Sequence, residues 1–124
     1  MPAEAIARSA RVSPRKAGVV AALVRGRTVS DALTILEHTP RRSALVVKKT
    51  IQSAKANAEH NHNFKPGSLF IAEISVTSGP RFKRYRPAAF GRARRFQRKT
   101  SNIRVVVDGE KRVVKKKPVP KEKK

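Results

Sequence analysis

GPRFKRYRPAAFGRARRFQRKT, the run from Gly79 to Thr100, decides how this chain folds. Arg81, Lys83, Arg84, Arg86, Arg92, Arg94, Arg95, Arg98 and Lys99 supply nine cations there, with no acid among them. Phe82, Tyr85, Phe90 and Phe96 are interleaved with those charges. A segment this basic has no place in a core, because an unpaired buried charge is costly. On either side the character changes. Phe70, Ala72, Ile74 and Val76 precede it, and Ile103, Val105 and Val107 follow it, each set at alternate positions. Period two marks half-buried strands. Two such strands joined by a polar segment predict one long hairpin, its base packed on a core and its far half projecting. Pairing Phe70 with about Val107 places the fold-back near Ala88, within PAAFG, where proline and glycine suit a turn. With about seven residues per arm beyond the core at ~3.3 Å each, the finger reaches on the order of 25 Å.

Upstream of the finger the pattern is helical. Ser13-Pro14 pairs an N-cap residue with a proline suited to the first helical position. Ala17, Val20, Ala21 and Val24 make one face, and Gly26 suits the position after the helix end, so a helix is expected over about 14–25. Ser30-Asp31 reads as the cap of a second, short helix carrying Ala32, Leu33, Ile35 and Leu36, with His38 closing it. Thr39-Pro40 repeats the cap-plus-proline device and opens the longest helix, to about Asn61. Ala44, Val47, Ile51, Ala54 and Ala58 give that helix a continuous apolar stripe. Residues 3–12, with alanine at 3, 5 and 7, read as a strand, although alanine and glutamate also allow a helix. Helices that bury their stripes on a hairpin base define an α+β class.

The 124 residues set one domain, expected over residues 1–110 and including the hairpin at about 79–100. Thirty Lys plus Arg against eight Asp plus Glu leave a formal charge of +22. Such self-repulsion calls for a polyanionic partner, and nucleic acid fits better than an anionic membrane. No helix pairs a Trp/Phe-rich face with a lysine face, and no apolar run is long enough to span a bilayer. Cysteine is absent, which removes disulfides, thiol nucleophiles and thiolate metal sites. A soluble, intracellular protein is expected. The closing KRVVKKKPVPKEKK cannot build a core, so residues 111–124 read as a basic tail without fixed structure.

Enzymatic chemistry finds no footing here. The three histidines sit at helix ends and in a loop, and no carboxylate pair or phosphate-cradling glycine motif occurs. His60 and His62 with Glu59 do not complete a zinc shell, so no metal and no cofactor is expected. The finger is more informative. Seven of its nine cations are arginine, whose planar guanidinium binds phosphate in two-point fashion and stacks on bases. Its aromatics can stack on splayed bases, or pair across the strands and stiffen the finger. Arg15 and Lys16 oppose the dipole at the first helix start, which points to a phosphate as their partner as readily as to solvent. Arg11, Arg25 and Arg27 complete the set of candidate RNA-binding residues.

Two functional classes fit this chemistry: a scaffold protein of structured RNA, and an architectural DNA protein whose basic arm wedges into the minor groove. Pro87 near the fold-back suits the second. A DNA bender of that kind, however, needs a dimerising body, and the alanine-rich helix faces here suffice only for an internal core, so no homo-oligomer is expected.

The blocks SPRK (13–16), VRG (24–26), ANAEHN (56–61), GP..KR (79–84), GRA (91–93) and QRKTSNIRVVV (97–107) occur in this order. From about Arg11 to Val107 the chain closely resembles the bacterial large-subunit ribosomal protein family L-twenty-two. That resemblance implies three helices on a three-stranded antiparallel sheet, with a long protruding basic β-hairpin. It further implies a non-enzymatic constituent of the large subunit that binds and helps assemble large-subunit rRNA. Its partners would be that rRNA, neighbouring large-subunit ribosomal proteins and the nascent peptide, on a cytoplasmic ribosome or alternatively an organellar one. Tyr85, Pro87, Ala88, Ala89, Phe90 and Gly91 would form the tip that lines the peptide exit tunnel. Against the family pattern, Ala88 and Phe90 replace basic residues and Arg94 replaces an acid, so this tip is more apolar and the arm behind it more cationic.

Overall fold

A computed structural model of the chain describes residues 2–111. Strand β1 (Ala3–Ala10) leads into helices α1 (Pro14–Val24), α2 (Val29–Glu37) and α3 (Arg42–His60), followed by strands β2 (Phe70–Pro87) and β3 (Ala93–Asp108). The three strands form one antiparallel sheet in the order β1-β3-β2, with α3 packed on β1 and β3 and α1 packed on β2. This is the expected α+β arrangement of three helices on a three-stranded sheet. The basic tail begins at Lys111, whose backbone bridges Phe64; the rest of that tail lies outside the described residues.

The core follows from the helical stripes. Val20 and Val24 of α1 meet Val47, Ile51, Ala54 and Ala58 of α3 and Ile103, Val105 and Val107 of β3, all fully buried. Each large aliphatic side chain so buried contributes about 1.5–3 kcal/mol relative to exposure. Ala3 and Ala5 on β1 let α3 approach closely, and Asn57 Nδ2 donates to Glu4 O at 3.0 Å to tie the two together. Phe64 and Leu69, in the connection after α3, are also buried and cap the lower end of this core.

The phase of β2 differs from the alternation expected. Phe70 and Ala72 point outward, while Ile71 and Ile74 are the buried pair. The cause is a β-bulge between Ile71 and Glu73, where one extra residue shifts the pairing from Ile71↔Val107 to Glu73↔Val106. A one-residue shift exchanges the two faces of a strand. The edge of β2 at this level is covered by the α1–α2 connection: Ile71 N donates to Arg27 O, and Val29 N to Leu69 O.

Two helix starts also differ. The α2 cap is Thr28, whose Oγ1 accepts from Asp31 N at 3.3 Å, so the helix begins at Val29 ahead of Ser30-Asp31. Thr39 does not cap α3. Its hydroxyl donates to Ile35 O at the end of α2, and α3 starts at Arg42 with Arg41 as an N-cap that makes no side-chain cap bond. The α1 start is as expected, with Ser13 Oγ accepting from Lys16 N.

Above the core the hairpin leaves the body through a neck. A second bulge between Ser78 and Arg81 places Gly79-Pro80 opposite Thr100. A Cβ on Gly79 would lie 2.7 Å from Thr100 Oγ1, so only glycine fits that position without a shift. The buried Thr100 hydroxyl donates to Pro80 O, and Ser9, at φ 56°, donates its N–H to Asn102 Oδ1 at 3.0 Å. Beyond the neck, Arg81↔Lys99 through Pro87↔Ala93 pair without interruption. The chain reverses at the short 3-10 turn Ala89–Gly91, where Ala88 N donates to Arg92 O at 2.7 Å. The fold-back thus falls where the PAAFG sequence was expected to place it.

Candidate nucleic-acid interface

Strand alternation sorts the finger into two faces. Phe82, Arg84 and Arg86 lie opposite Arg98, Phe96 and Arg94, which makes one face of four arginines and two phenylalanines. Arg81, Lys83 and Tyr85 lie opposite Lys99, Gln97 and Arg95 on the other. Both lysines of the arms therefore share one face, and the cations of the other are all arginine. No aromatic is paired with another across the strands: Phe82 faces Arg98, Tyr85 faces Arg95 and Phe96 faces Arg84. The rings instead have guanidinium groups set over them, Arg86 at 4.7 Å from the centroid of Phe96 and Arg84 at 5.8 Å from that of Phe82.

Electrostatics oppose the finger from within. Arg86 faces Arg94 and Arg81 faces Lys99 directly, and like charges in that relation destabilise a strand pair. All nine cations are exposed. The ion pairs among the described residues lie elsewhere: Lys48–Glu37, Lys55–Glu59, Lys65–Glu110, and Arg104 with both Glu4 and Glu73. Arg104 belongs to the hairpin base, and it alone among the β3 cations has carboxylates beside it. Arg81 donates to Gln97 Oε1 and Arg84 to Lys83 O, both exposed bonds that leave donors to spare.

The residues expected at the tip stand well out from the body. Phe90 adopts φ 62° and is 98% exposed, next to Gly91 at φ 69°. A phenylalanine in the left-handed region and in solvent has neither backbone preference nor burial to recommend it to the free chain. Tyr85 is also largely exposed, on the rung with Arg95, while Pro87, Ala88 and Ala89 lead into the turn.

On the body, the remaining candidates divide. Arg11 and Lys16 join Arg98 in a cleft beneath the neck, with Ser13 on the floor of α1. Arg15 is exposed on the first turn of α1 but does not line this cleft. Arg25 and Arg27 lie at the opposite end of α1, where Arg25 Nη2 donates to Ile74 O at 3.0 Å and Arg27 Nε to Leu23 O at 3.1 Å. Those two have a local structural task, with free donors remaining on each. The cleft also holds Arg41 and Arg42, which reading the sequence missed. The signal was present: two cations at a helix start, the wrong sign for the dipole, as with Arg15 and Lys16. Among the described residues, no group of His, Cys, Asp and Glu is placed to hold a metal, and no helix is long and apolar enough to cross a membrane.

Comparison with known proteins gives the chain a family. A family model described as ribosomal protein L22p/L17e matches residues 5–108. The large ribosomal subunit protein uL22 of Clostridioides difficile (strain 630) is 50% identical over 111 residues, covering 90% of this chain and all of that protein. The protein of the same name from Clostridium tetani (strain Massachusetts / E88) is 50% identical over 107 residues, covering 86% of this chain and 96% of its own.

Proposed function

The chain belongs to the ribosomal protein L22p/L17e family, and on that premise we propose that it is a structural, non-enzymatic constituent of the large ribosomal subunit in the cytoplasm. Its body and finger bind large-subunit rRNA and assist its assembly, beside neighbouring large-subunit proteins. The finger enters folded RNA, and the tip from Tyr85 to Gly91 borders the path of the nascent peptide.

One observation carries this reading: a seven-rung arm with cations on both faces and no acid to neutralise them. Such an arm repels itself in water and is relieved only among phosphates, which neutralise charge from several sides at once. Arginine and aromatic side chains on a single face favour folded RNA, which offers unstacked bases, over duplex DNA, which hides them. Ala88, Ala89 and Phe90 suit a tip that passes beyond the phosphates to border a channel.

The test is competition. The full chain is bound to a folded large-subunit rRNA fragment at moderate salt and challenged with duplex DNA matched in phosphate concentration. Retention by the rRNA is expected. Equal displacement by the duplex would favour the architectural DNA reading, in which the arm and Pro87 engage a minor groove.

A further inference from the structure

The cleft beneath the neck adjoins a second one along the finger, with two lining residues in common. The first is lined by Arg11, Lys16, Arg41, Arg42 and Arg98, with the hydroxyl residues Ser13 and Ser43. The second shares Arg11 and Arg98 and continues past Lys99 to Phe82, Arg84 and Thr100. Their volumes, about 450 and 370 Å³, are those of sites that hold a small ligand. The chemistry changes along the groove. Its body end is cationic and hydroxylic apart from Val12; its finger end adds a half-exposed aromatic ring, Phe82 at 45%, with a guanidinium over it.

Building five cations around one hollow with no carboxylate is unfavourable in the free protein. Two further features have the same sign. The starts of α1 and α3 meet there, joined by Ser43 Oγ donating to Lys16 O, and neither helix has an acid in its first turn. The α3 start makes no side-chain cap bond, and its N-cap and first residue are both arginine. Positive helix ends and positive side chains converge on one point, and a bound anion would satisfy both. A lone phosphate would leave the finger end unexplained, since Phe82 and Arg84 contribute a stacking surface that a bare anion does not use.

We propose that this groove binds a single unpaired RNA strand, its phosphates held between the α1 and α3 starts and an unstacked base laid on Phe82. The inference rests on the rRNA-binding reading above and gives it a place and a ligand class. Arg11 and Arg98 line both clefts and so link the two ends. A duplex does not fit this chemistry because its bases are stacked on one another.

The experiment uses the full chain with three labelled probes at fixed low salt: a short unpaired oligoribonucleotide, an abasic oligomer of equal phosphate number, and an RNA duplex. Two variants suffice, Phe82→Leu and the double substitution Arg41→Gln with Arg42→Gln. These side chains are exposed, so the fold is expected to survive, which circular dichroism checks. The arginine pair should weaken both single-stranded probes and reduce the slope of log K against log salt by about 1 to 2. Phe82→Leu should weaken the base-bearing oligomer by about fivefold or more, the effect of losing one stacked base, and leave the abasic oligomer unchanged. Equal losses on both oligomers with Phe82→Leu, or no loss with the arginine pair, would overturn the groove. So would a wild-type chain that binds the duplex as tightly as the single strand. A folded rRNA fragment is titrated in parallel. If both variants and the wild type bind it and the oligomers alike, the groove is wrong while the rRNA reading stands; if the wild type ignores the fragment, the parent reading is wrong as well.

Discussion

The body and the finger are built from the same two strands on opposite physical terms. From Phe70 to Ser78, β2 packs Ile71 and Ile74 under α1, and its partner buries Ile103, Val105 and Val107. From Arg81 to Pro87 the same strand buries nothing, and its backbone pairing holds like charges face to face. Carboxylates follow the same division: Glu4 and Glu73 flank Arg104 at the base, and none accompanies the arm. The body is a fold that its own side chains stabilise. The finger is a shape whose charges only a partner can balance, and the neck at Gly79 and Thr100 separates the two.

The largest expected effect is on binding. If the arm and the cleft meet phosphates, log K for a folded rRNA fragment should fall with log salt at a slope of several units, roughly 0.7 to 0.9 per contact. Titration between low and physiological salt measures it. A slope near one would mean that these cations are solvated, and the finger would then owe its form to something other than a polyanion.

Next comes the contrast in stability. Ile51→Ala opens a cavity in the core and should cost about 2–5 kcal/mol, lowering Tm sharply. Phe96→Ala, on the arm, should leave the cooperative transition of the body unchanged while weakening RNA binding. Thermal unfolding of the two variants side by side decides the matter. An equal fall in Tm would show that arm and body form one cooperative unit.

A smaller effect belongs to the neck. Gly79→Ala forces a Cβ against Thr100 Oγ1 and strains the bond from Thr100 to Pro80 O. A loss of about 1 kcal/mol is expected, the net worth of one hydrogen bond. Combining it with Thr100→Val should give less than the sum of the two losses, because the partner bond is already gone. Additive losses would mean that the glycine matters for another reason.

Much of this division was legible in the residues. The stripe from Ala44 to Ala58 recurs at helical spacing, and the two β-branched runs flanking a basic segment announce a hairpin, because burial imposes periodicity on whatever it touches. The phase of β2 was not legible: Ala72 is an inserted residue with no glycine or proline to mark it, so Phe70 looked like a core residue. Phe64 escaped because it stands in a connection, outside any periodic run, buried and bridged through its backbone to Lys111. The cleft escaped for a different reason. Arg41 and Arg42 reach Arg11 and Lys16 only once α3 has packed beside α1, and no local pattern encodes the meeting of two helix starts. At the site, the charges of the finger could be counted, but their division into an arginine–phenylalanine face and a mixed face required the register set by the bulge at Gly79-Pro80.

Amide hydrogen exchange on the full chain, free and bound to a folded rRNA fragment, tests the contrast most directly. In the free protein, Val47, Ile51, Ile74 and Val105 should be strongly protected, while amides from Phe82 to Phe96 exchange rapidly. On the RNA, protection should spread along the arm and change little in the body. Uniform protection of body and finger in the free protein, unchanged by RNA, would contradict the account.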